Sequence, residues 1–255
     1  MFKKAFLAVS CGTMLFGCGV ADPQVEIDEI KSNLIKAGYQ ADDITLVDGK
    51  VMVQDDAHVT VEASREMIQV KPGQEQYRTN NLVSTSLRKI CINPTSTFNS
   101  YARLSQGLDA AISNYNALGL TFYMARGPGL SGCEANITAQ TTTGTGGSAG
   151  FPSNGKPYGT INIGTGLNSY SVDVNEHVIT HELGHCIGFR HTDYYNRAIS
   201  CGSGGNEGDA GVGAVHIPGT PTTATVGGSI MNACFRSTES GEFTSSDVTA
   251  LNYLY

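Results

Sequence analysis

The run His181-Glu182-Leu183-Gly184-His185-Cys186-Ile187-Gly188-Phe189-Arg190-His191 constrains this 255-residue chain more than any other stretch of it. Val178, Ile179, Leu183 and Ile187 recur around it at helical intervals, which predicts a helix. On a helix, residues i and i+4 lie one above the other, so the imidazoles of His181 and His185 can converge on a single metal ion. Glu182, one residue along, can reach a water at that metal rather than the metal itself, which is where a general base belongs. Gly188 lacks a Cβ and can take the left-handed conformation that ends the helix and turns the chain back, bringing His191 round as a third ligand. Three protein ligands leave a fourth position open, the mark of a catalytic rather than a structural zinc. Chance is a poor alternative. With 31 Gly and 6 His in the chain, Gly at 188 and His at 191 would coincide about once in 350.

Two further segments extend the pattern. Ser229-Ile230-Met231-Asn232 follows His191 by roughly forty residues, and the chain closes on Ser246-Asp247-Val248-Thr249-Ala250-Leu251-Asn252-Tyr253-Leu254-Tyr255. With the histidine run, they resemble the metzincin zinc proteases, in which the HExxHxxGxxH helix is followed by a methionine turn beneath the metal. The resemblance implies that Met231 is that methionine and that the closing segment is a last helix opened by Asp247, a carboxylate favoured by the helix dipole. Residues 80–255 are most similar to the bacterial dual-action Tat-interacting protease family. Thr192 departs from the better-known branches, which place Glu, Asp or Ser after the third histidine. The implied fold is α+β: a metzincin-like catalytic domain with a twisted mixed sheet, a long helix, an active-site helix, a Met-turn and a C-terminal helix. The implied function is hydrolysis of protein or peptide substrates with one catalytic Zn2+ and Glu182 as general base. A surface lipoprotein that binds a protein partner around a non-catalytic zinc is the competing reading, and it has no use for Glu182.

At the other end, Lys3 and Lys4 precede an apolar run over residues 5–16, an export signal covering residues 1–17. Its end, Leu15-Phe16-Gly17-Cys18, resembles a bacterial lipobox and makes Cys18 a candidate for lipidation. The expected location is extracytoplasmic, as a secreted protein or a membrane-anchored lipoprotein of a bacterium, with a membrane reached only through an acyl chain on Cys18. The formal charge of −7 falls to −9 when the two lysines are removed, and no Lys/Arg run is present, so nucleic acid is excluded as a partner. A monomer is expected. Past Cys18 lie Cys91, Cys133, Cys186, Cys201 and Cys234, an odd number that leaves at least one thiol over. The expected disulfide is Cys186 with Cys201, one on the zinc helix and the other in the loop leaving it. Cys91 with Cys133 is a further possible pairing, although sequence does not fix the connectivity.

Residues 18–85 read as a pro-like segment and linker, and residues 86–255 as the protease domain. In the former, Val25, Ile27, Ile30, Leu34 and Ile35 predict a helix stopping at Gly38, and Asp48-Gly49 between two apolar runs predicts a hairpin. Val53-Gln54-Asp55-Asp56-Ala57 loosely resembles the motif by which astacin propeptides place an aspartate on the catalytic zinc. Asp56 is the matching residue, an inhibitory zinc ligand on one reading and a solvated acid capping a strand on the other. Residues 62–85 are polar and aperiodic, as a linker would be. In the domain, strands are expected over 88–92, 120–124, 136–139 and 160–164, with an amphipathic helix over 100–118. The strand at 160–164 is the candidate cleft edge, along which an extended substrate could add. Asn206, Glu207 and Asp209 could gather round Ca2+, but their spacing matches no defined calcium loop and a solvated acidic turn is the favoured reading. His177 reads as a supporting or surface group, and His58 and His216 as non-ligands.

Overall fold

The computed structural model describes residues 23–37, 39, 41–53, 56–68, 77–208 and 214–255. The export signal, Cys18 and Asp209 lie outside them. The N-terminal part forms α1 (Pro23–Lys36), a hairpin of β1 (Ile44–Val47) and β2 (Lys50–Val53), the short strand β3 (Ala57–His58), and α2 (Val61–Met67). The hairpin turns on Asp48 and Gly49, both at positive φ, as expected of a two-residue turn that matches the twist of its strands. The rest comprises β4 (Lys89–Pro94), α3 (Ser96–Ser100), α4 (Ala102–Ala117), β5 (Tyr123–Arg126), β6 (Ala135–Thr142), β7 (Gly147–Gly150), β8 (Thr160–Gly164), α5 (Val172–Ile187), α6 (Ala198–Cys201) and α7 (Ser245–Leu254).

All eight strands join one mixed sheet in the order β1-β2-β3-β7-β8-β6-β4-β5. Strands β5, β4, β6 and β8 run parallel, β7 is antiparallel to β8, and β3 is parallel to β7. The α+β expectation holds, with one correction inside it. Strand β8 is not the cleft edge, because β6 and β7 pair with it on both sides. The strand nearer the site is β7, and its sequence, Gly147-Ser148-Ala149-Gly150, contains no β-branched or aromatic residue that would announce a strand. The outer side of β7 is taken by β3.

Helix α4 lays Leu104, Leu108, Ala111 and Tyr115 into the main core, each burial worth about 1.5–3 kcal/mol for the larger side chains. It crosses α5 at Gly107, where a Cβ would sit 2.8 Å from the Cβ of Asn175. The side chains of α5 from Val174 to Ile187 are buried on every face, which holds the histidine run rigidly under the sheet. A second, smaller cluster gathers Ile30, Leu34, Val51, Val53, Ala57, Val59, Ala63 and Met67 in the N-terminal part.

Two further corrections concern links along the chain. The described parts of the expected linker, residues 62–68 and 77–85, are structured: α2 buries Ala63, Ser64 and Met67 beneath a polar outer face, and Arg78 bridges both Phe189 and Val215. Disulfides join Cys91 to Cys133 and Cys201 to Cys234, while Cys186 is free and buried. Cys186 cannot reach Cys201 because its face of α5 turns to the sheet, with Sγ near the Thr160 carbonyl, whereas Cys201 lies across the site beside the methionine segment.

Candidate metal centre

The site is built from α5 and its exit. Ser171 caps the helix start, its side chain accepting from the Val174 amide. Gly188 ends the helix at φ 112°, and a Cβ there would lie 2.6 Å from the Asn81 carbonyl, so both conformation and space call for glycine. The returning chain presents the Phe189 carbonyl to His185 Nδ1 at 2.8 Å. His181 Nδ1 meets the Ile230 carbonyl at 2.9 Å, and His191 Nδ1 meets Glu207 Oε1 at 2.9 Å. A carbonyl can only accept, so the Nδ1 of His181 and of His185 carries the proton and leaves an Nε2 lone pair facing inward; the Glu207 carboxylate likewise accepts from His191 Nδ1 and orients that ring.

The three Nε2 atoms meet Asp56, which the turn before β3 delivers to them. Asp56 Oδ2 lies 2.9 Å from His191 Nε2 and 3.5 Å from His181 Nε2, Oδ1 lies 3.6 Å from His185 Nε2, and the His181 and His191 Nε2 atoms are 3.2 Å apart. Among the described residues this is the one group of His, Cys, Asp and Glu close enough to hold a metal ion. Bonds of about 2.0–2.1 Å to a tetrahedral zinc put neighbouring ligand atoms about 3.3–3.4 Å apart, and the spacings here straddle that value. Asp56 Oδ1 and His185 Nε2 are also buried without a hydrogen-bond partner, as inward-facing ligand atoms would be. The residues present fit a cation with four protein donors, the fourth being Asp56.

Charge is strongly organised here. Burial lowers His185 to about 4, so it stays neutral. Burial also pulls His191 down, but the carboxylates of Asp56 and Glu207 outweigh it and hold the group well above the ordinary histidine range. Asp56 is the counterpart: burial would raise it, yet His191 and His185 keep it well below the usual carboxylate range. Glu182 is pushed well above that range by burial, reinforced by the Asp56 charge. Its Oε2 has no hydrogen-bond partner, and β7 passes so close that a Cβ on Gly147 would collide with the carboxylate.

Against α5 at Gly184, between the two helix histidines, lies the turn holding Met231, whose Sδ would be 2.6 Å from a Cβ there. Its position is fixed from two sides. The Thr192 amide donates to the Met231 carbonyl at 2.8 Å, Asn232 Nδ2 donates to Thr192 Oγ1 at 2.8 Å, and Asp193 accepts from the Ala233 amide at 2.9 Å. From the last helix, Asp247 accepts from the Ile230 amide at 3.0 Å and from the Ser229 hydroxyl, while forming a capping box with Thr244. Next to the metal centre a cavity of about 300 Å³ opens between Gly146 and Gly147, His177 and Val178, and residues 232–235, with Asp56 in its wall.

The structure thus brings His181, Glu182, His185, His191, Met231 and Asp56 together. It places Glu207, read above as a calcium candidate or a solvated acidic turn, on His191 instead, where it is 1% exposed and also faces Arg190 and Arg197. His177 is buried 3.9 Å from Glu239, and His58 and His216 bond to Tyr158 and to Thr220. Glu207 was missed because it sits in a glycine-rich loop with no pattern of its own, sixteen residues from its partner.

Residues 51–255 match the family described as dual-action HEIGH metallo-peptidases, Peptidase_M57. No curated protein sequence matches the chain. Among solved structures, a crystal structure of myroilysin covers 73% of this chain and 88% of its own at 13% identity and a TM-score of 0.38. A second myroilysin structure covers 68% and 97% at 15% identity and a TM-score of 0.39. The letters that name the family, His-Glu-Ile-Gly-His, stand here as His181-Glu182-Leu183-Gly184-His185 on the helix that carries the cluster. The match spans more than half of the chain, and the chain belongs to the dual-action HEIGH metallo-peptidases.

Proposed function

We propose that the chain is an exported zinc endopeptidase of metzincin type, held latent by its own Asp56. The observation that carries this reading is the Asp56 carboxylate among the three imidazoles, in the place a reacting water would need. His181, His185 and His191 are the zinc ligands. When bound there, zinc polarises the scissile carbonyl and lowers the pKa of a water to about 7. Glu182 takes the proton of the attacking water on Oε2 and passes it to the departing amine, a task suited to a buried carboxylate with a raised pKa. Met231 packs as an apolar floor against α5 at Gly184 and binds no metal.

Latency follows from geometry and tethering. Strand β3 covers the outer side of β7, with the Ala149 amide donating to the Asp56 carbonyl at 2.8 Å, so an extended peptide must displace β3 to add there. A tethered carboxylate has a high effective concentration at the metal and loses it when the segment is cut free. We take residues 77–85 together with the catalytic unit of 86–255, because the Tyr77 carbonyl accepts from the Arg190 amide and the Thr79 amide donates to the Gly188 carbonyl, both inside the metal-binding turn. The two disulfides agree with an oxidising, extracytoplasmic compartment. An acyl chain on Cys18 is the proposed anchor, and the mass of the mature N-terminal peptide checks it.

The test is digestion of a peptide library by the full chain, by Asp56→Ala and by Asp56→Ala/Glu182→Gln, each with and without chelator. Chelator-sensitive cleavage that rises in the first variant and vanishes in the second is expected. Equal zinc content with no cleavage by any of the three would overturn the enzymatic reading.

A further inference from the structure

We propose that Phe151 is the floor of a substrate subsite that takes an aliphatic side chain, at the end of β7 opposite the 300 Å³ cavity. The proposal rests on the reading of Asp56 and β3 as a removable cover over a peptidase cleft.

Phe151 comes from the catalytic half of the chain, directly after β7, yet it is buried in the N-terminal cluster with Val51, Val53, Ala57 and Val59. Among the described residues it is that cluster's one fully buried contribution from beyond Met67. The ring is 1% exposed because it is covered from two directions. On one side stands the imidazole of His185, edge-on at 5.6 Å between centroids and 86° between planes. On the other stand the aliphatic residues of the N-terminal part. Withdrawing the N-terminal part, β2 with β3, uncovers the second side alone, leaving a large apolar surface against a metal ligand.

The position along β7 makes that surface a subsite. The cavity touches Gly146 and Gly147 at the start of the strand, and Phe151 follows its end at Gly150. At about 3.3 Å per residue the strand is roughly 13 Å long, so a peptide of four or five residues laid along it spans cavity, metal and Phe151. Between the two ends β7 offers an occupant backbone rather than bulk. At Gly150 a Cβ would collide with the His58 carbonyl and the Tyr158 ring, so the strand and its occupant approach as closely as backbones can. The present occupant shows the chemistry accepted: Ala57 and Val59, both 0% exposed, flank the register pair His58 and Gly150 and lie in the cluster over the ring. A charged or amide side chain placed there would lose its water against an aromatic ring with no partner in exchange. An aliphatic one would restore the covered state.

The experiment uses the full chain carrying Asp56→Ala, in which any peptide cleaved along β7 must first displace β3 and open the cluster over Phe151. Cleavage products of a peptide library are sequenced for this variant and for the same chain with Phe151→Ala or Phe151→Leu added, with zinc content measured beside each. In the parent, Val, Leu and Ile should exceed Asp and Glu about ten-fold at one substrate position. Phe151→Ala should reduce that ratio to near one at this position alone. Phe151→Leu, which keeps the site apolar but smaller, should shift the preference toward bulkier side chains that refill the lost volume. If Phe151→Ala loses zinc or solubility, the Phe151→Leu result decides. An unchanged preference in a zinc-loaded Phe151 variant overturns the subsite. Failure of the zinc-loaded parent to cleave any peptide counts instead against the peptidase reading beneath it.

Discussion

The three imidazoles and the Asp56 carboxylate arrive at one point by opposite routes. The histidines come from a single helix and the turn that ends it, they are at most 6% exposed, and each has its Nδ1 fixed by a carbonyl or by Glu207. Asp56 lies 125 residues before His181 (181 − 56) on a segment secured by a two-residue strand and a small apolar cluster. Its other ties to the catalytic half are scattered: Arg190 over the Tyr39 ring at 4.7 Å, Asn81 reaching the Ala63 carbonyl at 3.0 Å, and Glu66 accepting from the Asn154 amide. A ligand set preorganised by its own helix keeps its geometry whatever happens at the rim. A ligand held by many weak contacts at the end of a separate segment can be removed as a unit. The first arrangement suits a permanent site and the second a cover.

Removing the chemistry while leaving both kinds of ligand sets the baseline for this contrast. In an Asp56→Ala background, Glu182→Gln keeps the side chain's shape and loses the base, so kcat should fall about 10²- to 10⁴-fold with zinc content unchanged. Turnover within two-fold of the parent would remove Glu182 from the mechanism. Next in size is the latch itself. Asp56→Ala alone should raise the peptidase rate of the full chain about 10²-fold, the order expected when a tethered competitor is lost. Rates that match the unaltered chain would mean that the N-terminal part is a folding aid or spacer.

The same contrast explains what could be read from the amino acids. The histidine centre was legible because helical periodicity, the Glu182 offset and a glycine stop are all local, and each constrains the next within eleven residues. The Asp48-Gly49 hairpin was legible for the same reason. Asp56 was visible as a faint motif with an equally good bland alternative, since nothing local says that residue 56 lies against residue 191; only the β3 and β7 pairing does so. Strand β7 was invisible because the demands on it are the reverse of ordinary strand propensity: side chains at 147 and 150 would strike Glu182 and β3. Cys186 was misassigned because proximity in sequence to Cys201 says nothing about which face of a buried helix a side chain occupies. The roles of Thr192 and Asp193 are likewise long-range, both acting on the Met231 turn some forty residues on.

Glu207 tests whether the permanent side of the contrast extends past the ligands. Glu207→Gln preserves volume and can still contact His191 Nδ1, but it removes the charge that favours the correct orientation and basicity of that imidazole. Zinc affinity, read by competition with a chromophoric chelator, should weaken about 10- to 100-fold. An affinity unchanged within three-fold would reassign Glu207 to holding the Arg190 and Arg197 loop alone.

The smallest effect is expected at Gly184, between the two histidines of the helix. A Cβ there meets Met231 Sδ at 2.6 Å, Met231 Cε at 3.4 Å and the Tyr115 hydroxyl at 3.5 Å. Two terms oppose each other in Gly184→Ala. Alanine in a helix interior is favoured over glycine by about 1 kcal/mol, because less backbone freedom is lost on folding. Overpacking the floor costs about 1–3 kcal/mol, toward the lower end where the neighbour is a flexible methionine that can move a few tenths of an ångström. The net expectation is a loss of about 0–2 kcal/mol, seen as a modest fall in Tm, with zinc affinity kept within about three-fold because Nδ1 anchors and not Met231 orient the imidazoles. Combined with Asp56→Ala, the stability changes should depart from additivity, since His181 meets both the Asp56 carboxylate and the Ile230 carbonyl of the Met231 turn. A gain of about 1 kcal/mol, the helix term alone, would mean that Met231 does not press on α5 and that the turn is positioned by Thr192 and Asp247 without help from packing.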